Sequence, residues 1–288
     1  MFKVGLIGLG VMGKPMAANL LRAGFPLTVF HPVRERCESL EIMGAAVAET
    51  PEQLARTNDA VITILPETVT VEQVLFGEKG VAAGLKPTCA VIDMSTISPT
   101  ATVEFARRLE AVGCQMLDAP VTGGRKGAVE GTLGIMVGGR HEVFAKYLPI
   151  LQATGKTITY TGPIGNGQKT KLVNQLVGAT NLLAAVEGLR LMRAAGLDPE
   201  TTLNAVSSGA ASSWMLVNLG PLILQGDFDP GFSIRLQFKD LTLLRDWIAE
   251  LGGEYPASSL VYSVFQEAMK KGLEKQGNQG LINVWPSP

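Results

Sequence analysis

The stretch VGLIGLGVMGKPMAANLLRAG, residues 4–24, constrains the fold more than any other part of the chain. Apolar residues suited to a buried parallel strand run up to Gly8, and a segment with helical spacing opens at Gly13 and stops at Gly24. Between them stand three glycines, Gly8, Gly10 and Gly13, in GxGxxG spacing. In a strand-turn-helix unit the first glycine permits a sharp turn and the second lets backbone approach a pyrophosphate. The third lets helix and strand pack closely, while the helix amides face the phosphate charge. The motif alone is weak, since a glycine-rich turn can bind nothing. Its position after a strand, before a helix and ahead of a second strand favours dinucleotide binding. The candidate phosphate-binding turn is Gly8, Leu9, Gly10, Val11, Met12 and Gly13.

The rhythm continues. LTVFH (27–31), AVITILP (60–66), AVIDMST (90–96) and CQMLDAPV (114–121) read as strands, with helix-like segments such as RERCESLEIMGA and TATVEFARRLEAVG between them. GTLGIMVGG and KTITYTG supply two more strands, and the alternation predicts a doubly wound, mostly parallel α/β sheet of Rossmann type. After Gly167 the period changes: QKTKLVNQLVGATNLLAAVEGLRLMRAAG reads as one long helix without a breaking proline, and four further helical patterns follow. The expected organisation is a dinucleotide-binding domain over residues 1–162 and an all-helical substrate and oligomerisation domain over 163–288, joined by that helix.

A length of 288 residues suits two domains, and 46% hydrophobic with 18% charged residues describes a globular chain. The net charge of -1, without charge blocks, gives no bulk attraction for nucleic acid or an anionic membrane. No signal-peptide pattern or membrane-length apolar run is present, so a cytoplasmic location is expected. Cys37, Cys89 and Cys114 are far apart and lack CxxC spacing, which fits reduced packing thiols. With two histidines in the chain no metal site is expected, and any acid or base must be sought elsewhere.

At the end of the second strand an Asp or Glu would mark NAD by binding the ribose 2′-hydroxyl. His31 stands there, followed by Arg34 and Arg36. Their charge leans toward NADP, although both arginines also read as solvated helix residues, so NAD stays open. His31 is claimed by this end of the cofactor and His141 follows GGR in a surface turn. The proton donor that a nicotinamide enzyme needs beside a carbonyl is therefore sought at Lys171 in GPIGNGQKTKLVNQ. Asn174 and Gln175 lie three and four residues later and share its helical face. A lysine there, its pKa lowered by burial, could protonate an alkoxide; a solvated surface lysine is the alternative. Thr122, Gly123 and Gly124 fall at the carboxyl end of a strand, where backbone amides and a hydroxyl could hold a carboxylate. Glycines also serve plain turns.

Four blocks in order, GLIGLGVMGKPMAANL, DAPVTGGRKGAVEGTLGIMVGG, GPIGNGQKTKLVNQ and FKDLTLL, resemble the β-hydroxyacid dehydrogenase family over almost the whole chain. That family includes 3-hydroxyisobutyrate dehydrogenase, tartronate semialdehyde reductase and the glyoxylate/succinic semialdehyde reductases. The resemblance implies a catalytic role for Lys171 and a substrate-holding loop at Thr122, Gly123 and Gly124. It implies that Lys239 lies near nicotinamide and substrate, that Thr96 ends a cofactor-side strand, and that Leu65 and Pro66 form the loop over the cofactor. Trp214 and Phe232 are permitted at the site, but aromatics at such positions more often belong to a core. Two departures stand out. The loop reads TGG where the family often has SGG, and Gln175 occupies the place often held by Asn, with Asn174 one residue earlier.

The resulting expectation is an NAD(P)-dependent oxidoreductase of short β-hydroxyacids or their semialdehydes, of the tartronate semialdehyde, succinic semialdehyde, glyoxylate or 3-hydroxyisobutyrate type. An imine reductase on the same fold and a non-catalytic nucleotide sensor are the alternatives, and the presence of Lys171 counts against the first. Apolar helical faces such as LVGATNLLAAVEGL, with the resemblance, point to a homodimer or homotetramer.

Overall fold

The computed structural model describes residues 1–87 and 89–286, so the last two residues of the expected helical domain lie outside the described set. It divides into two compact units, Met1–Lys171 and Leu172–Pro288.

In the first unit the strands are β1 (Val4–Ile7), β2 (Leu27–Phe30), β3 (Ala46–Val47), β4 (Ala60–Thr63), β5 (Ala90–Asp93), β6 (Gln115–Asp118), β7 (Val121–Thr122), β8 (Leu133–Gly138) and β9 (Gly155–Gly162). The helices between them are α1 (Gly13–Arg22), α2 (Glu38–Ile42), α3 (Pro51–Thr57), α4 (Thr68–Phe76), α5 (Val81–Gly84), α6 (Pro99–Glu110), α7 (Gly124–Glu130) and α8 (His141–Gln152). The described strands form one sheet in the order β3-β2-β1-β4-β5-β6-β8-β7, with β9 on β8. β1 is central, its Ile7 beside Phe30 of β2 on one side and Thr63 of β4 on the other, all parallel. Chain order reverses direction between β1 and β4, and the crevice beyond the carboxyl ends of such strands is where doubly wound sheets take ligands.

Both faces of this sheet are covered, as near-continuous apolar strands require. Val4, Leu6, Ile62 and Ile92 belong to one core, and Ile7, Val61 and Val91, at the alternate positions, to another. Gly5 lies on the second face, where an added Cβ would fall 2.1 Å from Leu54 of α3. Two expected elements are interrupted. CQMLDAPV does not run as one strand: β6 ends at Asp118, and β7 turns antiparallel against β8 after Pro120, which has no N–H for a ladder. RERCESLEIMGA becomes a 3₁₀ turn at Arg34–Arg36 and a five-residue α2, neither with a side-chain cap.

The second unit is helical. α9 (Asn166–Ala194) begins in the first unit and runs on as 29 residues, followed by α10 (Pro199–Ser207), α11 (Trp214–Gln225), α12 (Ile234–Leu251) and α13 (Pro256–Lys270). Side chains of Asp198, Ser213 and Ser233 cap α10, α11 and α12 by accepting from backbone N–H groups three residues on. Leu172, Ala179, Leu182, Val186 and Leu189 line one stripe of α9 in the core, with Leu244, Phe265 and Leu281 from other elements. Cys37, Cys89 and Cys114 are all buried. No helix among the described residues is long and apolar enough to cross a membrane.

Candidate active site

The turn after β1 has the shape that a dinucleotide diphosphate needs. Gly8 adopts φ +106°, and a Cβ on it would lie 2.3 Å from the Ile64 carbonyl oxygen. A Cβ on Gly13 would fall 1.8 Å from the Gly8 oxygen, so this residue lets α1 close against the turn. Around Gly10, by contrast, nothing lies within 4 Å of an added Cβ. α1 starts without a side-chain cap and without an acidic residue in its first turn, which leaves its amino end suited to an anion. Leu9 is buried, Met12 half-buried and Val11 exposed. These residues fit the group.

At the end of β2, His31 accepts from the Val33 N–H through Nδ1 at 3.0 Å. Its pKa is lowered, chiefly by burial and further by the charge of Arg36, which favours the neutral ring. Arg34 is paired to Glu41 at 2.8 Å, both side chains about half exposed. Phe30, His31, Arg34, Glu41, Val47 and Glu49 line a cavity of ≈ 460 Å³, so the guanidinium that a 2′-phosphate would meet shares the space with two carboxylates.

The carboxyl ends of β4, β5 and β6 carry a buried polar network. Thr63 and Ser95 hydroxyls donate to Asp93 Oδ1 at 2.8 and 2.6 Å, and the Leu65 N–H donates to Ser95 Oγ at 2.8 Å, holding the loop before Pro66. Gln168, fully buried at the start of α9, donates to the Ser95 carbonyl at 2.9 Å and accepts from the Ile97 N–H at 3.1 Å. Half-buried Thr96 lies between those two anchors. Asp118 accepts from the Gly165 and Gln168 N–H groups, each at 2.8 Å, and burial pushes its carboxyl up to about 7 against the lowering effect of those two bonds. One turn after Gln168, Lys171 is 6% exposed and thus no solvated surface lysine. Thr122 ends β7, opposite Gly134, and Gly123 and Gly124 follow with φ +115° and +61°.

In the second unit the expected substrate residues Asn174, Gln175 and Lys239 are linked to a buried carboxylate. Asp240 is 2% exposed. It accepts from Gln175 Nε2 at 2.5 Å and pairs with Lys239 Nζ at 2.6 Å. Asn174 donates in turn to Gln175 Oε1 at 2.9 Å, so both ends of the Gln175 amide are engaged. Trp214 is 60% exposed and does not belong to the core of this unit. Phe232 is half-buried.

Residues 3–162 match the family model for the NAD-binding domain of 6-phosphogluconate dehydrogenase. Residues 165–285 match the NAD-binding domain of NADP-dependent 3-hydroxyisobutyrate dehydrogenase. The chain is 40% identical over 284 residues to 2-hydroxy-3-oxopropionate reductase of Escherichia coli, covering 98% of this chain and 96% of that one. The chain belongs to the β-hydroxyacid dehydrogenase family.

A member of this β-hydroxyacid dehydrogenase family is an NAD(P)-dependent oxidoreductase, and its architecture agrees. A crystal structure of 3-hydroxyisobutyrate dehydrogenase from Salmonella typhimurium superposes with a TM-score of 0.91 at 31% identity, over 99% of this chain and 100% of that one. The structure of Psf3 in complex with NADP+ and 2-OPP gives 0.91 at 27%, over 98% and 99%. Imine reductases, at 18–22% identity, share the fold.

Proposed function

We propose that this β-hydroxyacid dehydrogenase interconverts a short carboxylate-bearing semialdehyde and its β-hydroxyacid, with Lys171 as the general acid and base. The observation that carries the reading is the burial of Lys171 at 6% exposure, one turn into a helix whose start is tied to the ends of β5 and β6. Tartronate semialdehyde is the leading substrate, because the E. coli relative is named for its reduction. The 3-hydroxyisobutyrate pair belongs to the same class, and succinic semialdehyde and glyoxylate are related short oxo-acids whose reduction gives a γ- and an α-hydroxyacid.

Nicotinamide, when bound, supplies or accepts the hydride. In the reducing direction the Lys171 ammonium gives its proton to the oxygen that becomes the alkoxide and regains one from water. The Thr122 hydroxyl and the amides of Gly123 and Gly124 hold the substrate carboxylate. Asn174 and Lys239 are further substrate contacts, while Gln175, with both amide ends engaged, orients Asn174. The turn Gly8–Gly13 takes the diphosphate, and His31 with Arg34 meets the adenosine ribose. Arg34 and Arg36 support a lean toward NADP, and the pairing of Arg34 with Glu41 reduces its reach.

The test is to follow absorbance loss of NADPH and, separately, NADH on adding glyoxylate, succinic, tartronate and methylmalonate semialdehydes. Turnover is expected with at least one. Lys171→Ala should lower it by roughly two to four orders of magnitude while cofactor binding is retained. Unaltered turnover in Lys171→Ala would overturn the assignment.

A further inference from the structure

Asp118 and Gln168 have no place in the chemistry described so far, yet they are among the most completely buried polar side chains of the first unit. We infer that they are positioning residues for the reaction, fixing the first turn of α9, and with it Lys171, to the strand ends that carry Thr96 and the DAPV loop. The inference rests on the reading of Lys171 as proton donor.

The two side chains form a continuous clamp. Each oxygen of Asp118 takes one N–H from the start of α9, Gly165 on Oδ1 and Gln168 on Oδ2, both at 2.8 Å. The surrounding backbone is shaped to the carboxylate. A Cβ on Gly138 would fall 2.4 Å from Asp118 Oδ1, and one on Gly167 would fall 2.8 Å from Oδ2. Gln168 then spends both atoms of its amide on backbone either side of Thr96, donating to Ser95 O and accepting from Ile97 N. Ser95 continues the chain to Asp93 and to the Leu65 N–H. A buried amide is costly unless satisfied, and an apolar side chain would fill the space without that demand. What the polar version adds is a fixed register between helix and strand ends. Lys171 follows Gln168 by three residues, on the next turn, and a misplacement of about 1 Å in a reacting group can cost on the order of 10²-fold in rate.

The test is a double-mutant cycle between Gln168→Met, which keeps the volume and loses both hydrogen bonds, and Lys171→Ala. Steady-state oxidation of NADPH, which gives kcat, is followed with tartronate and succinic semialdehydes as probes. NADPH affinity is measured by fluorescence titration, and hydrogen exchange by mass spectrometry on the cofactor-free protein. Gln168→Met is expected to lower kcat roughly 10- to 100-fold. NADPH affinity should fall by less than kcat does, because the Gly8–Gly13 turn is untouched and only the backbone around Thr96 and Leu65 is loosened. Exchange should accelerate over residues 95–98 and 165–171. In the Lys171→Ala background the same change should add less than about 3-fold further loss. Equal losses in both backgrounds, or an unchanged kcat, would overturn the clamp. If Lys171→Ala alone retains full turnover, the reading of Lys171 fails instead, and the two failures are told apart by that single variant. Should Gln168→Met not fold, Asp118→Asn, which keeps the shape and removes one acceptor, is read through the same cycle with the same outcomes.

Discussion

Gly10 and Gly13 are three residues apart and answer to different forces. At Gly13 the constraint is packing inside the protein, since a methyl group would overlap the Gly8 carbonyl. At Gly10 there is open space for a side chain, so within the chain alone alanine is tolerated. Gly13→Ala should therefore destabilise the protein by about 1–3 kcal/mol, read as a lowered urea midpoint. Gly10→Ala should leave that midpoint in place and weaken NADPH by about tenfold or more in a fluorescence titration, because the methyl occupies the diphosphate's approach. Wild-type affinity in Gly10→Ala would mean that the diphosphate lies elsewhere. The glycine spacing was legible in the sequence, and so was the helical face shared by Lys171, Asn174 and Gln175. The burial of Lys171 was not, and neither was the capture of Gln175 by Asp240, a partner 65 residues away.

At the level of elements, the start of α9 is controlled by a residue of β6. Asp118 makes its hydrogen bonds 47 and 50 residues along the chain, and Gln168 reaches back 71 and 73, so no local spacing announces either. By contrast, β1, α1, α9 and α12 carry their own period and were readable, whereas the break at Pro120 depends on what β8 offers as a partner. The Asp118 cap also has a pH signature. Its carboxyl is raised from 3.8 to about 7, mainly by burial, with Asp93 the like charge that adds to the rise. A raised carboxyl favours the folded state while protonated. That contribution is complete below the unfolded value near 4 and is lost as pH climbs through about 7. Relative to Asp118→Asn, the wild-type protein should thus lose stability between pH 4 and 7, at up to about 1.4 kcal/mol per pH unit, and level off above. Urea melts of both proteins across that range measure the difference; a flat difference would show that Asp118 keeps an ordinary carboxyl.

For the whole molecule, the helical unit leaves much apolar surface uncovered. Val173 and Val177 on α9 are about half exposed, Leu191 is 71% exposed and Trp214 60%. Light scattering is expected to give the mass of a dimer or tetramer, and a monomeric mass at micromolar protein would refute the assembly. The fold class could be read from the alternation of strands and helices. Substrate choice could not, since it turns on a few contacts that spacing does not reveal; the methyl of Thr122 is one that we propose. The compact division of the chain falls immediately after Lys171, inside an unbroken helix. A crossover between relatives placed there would carry Lys171, the proposed proton donor, with Asp118 and Gln168 in the nucleotide half, and trade Asn174, Gln175 and Lys239 with the other. Recombination at that one peptide bond would exchange only the contacts proposed for Asn174, Gln175 and Lys239, while Thr122, Gly123 and Gly124 stay with the half that carries Lys171.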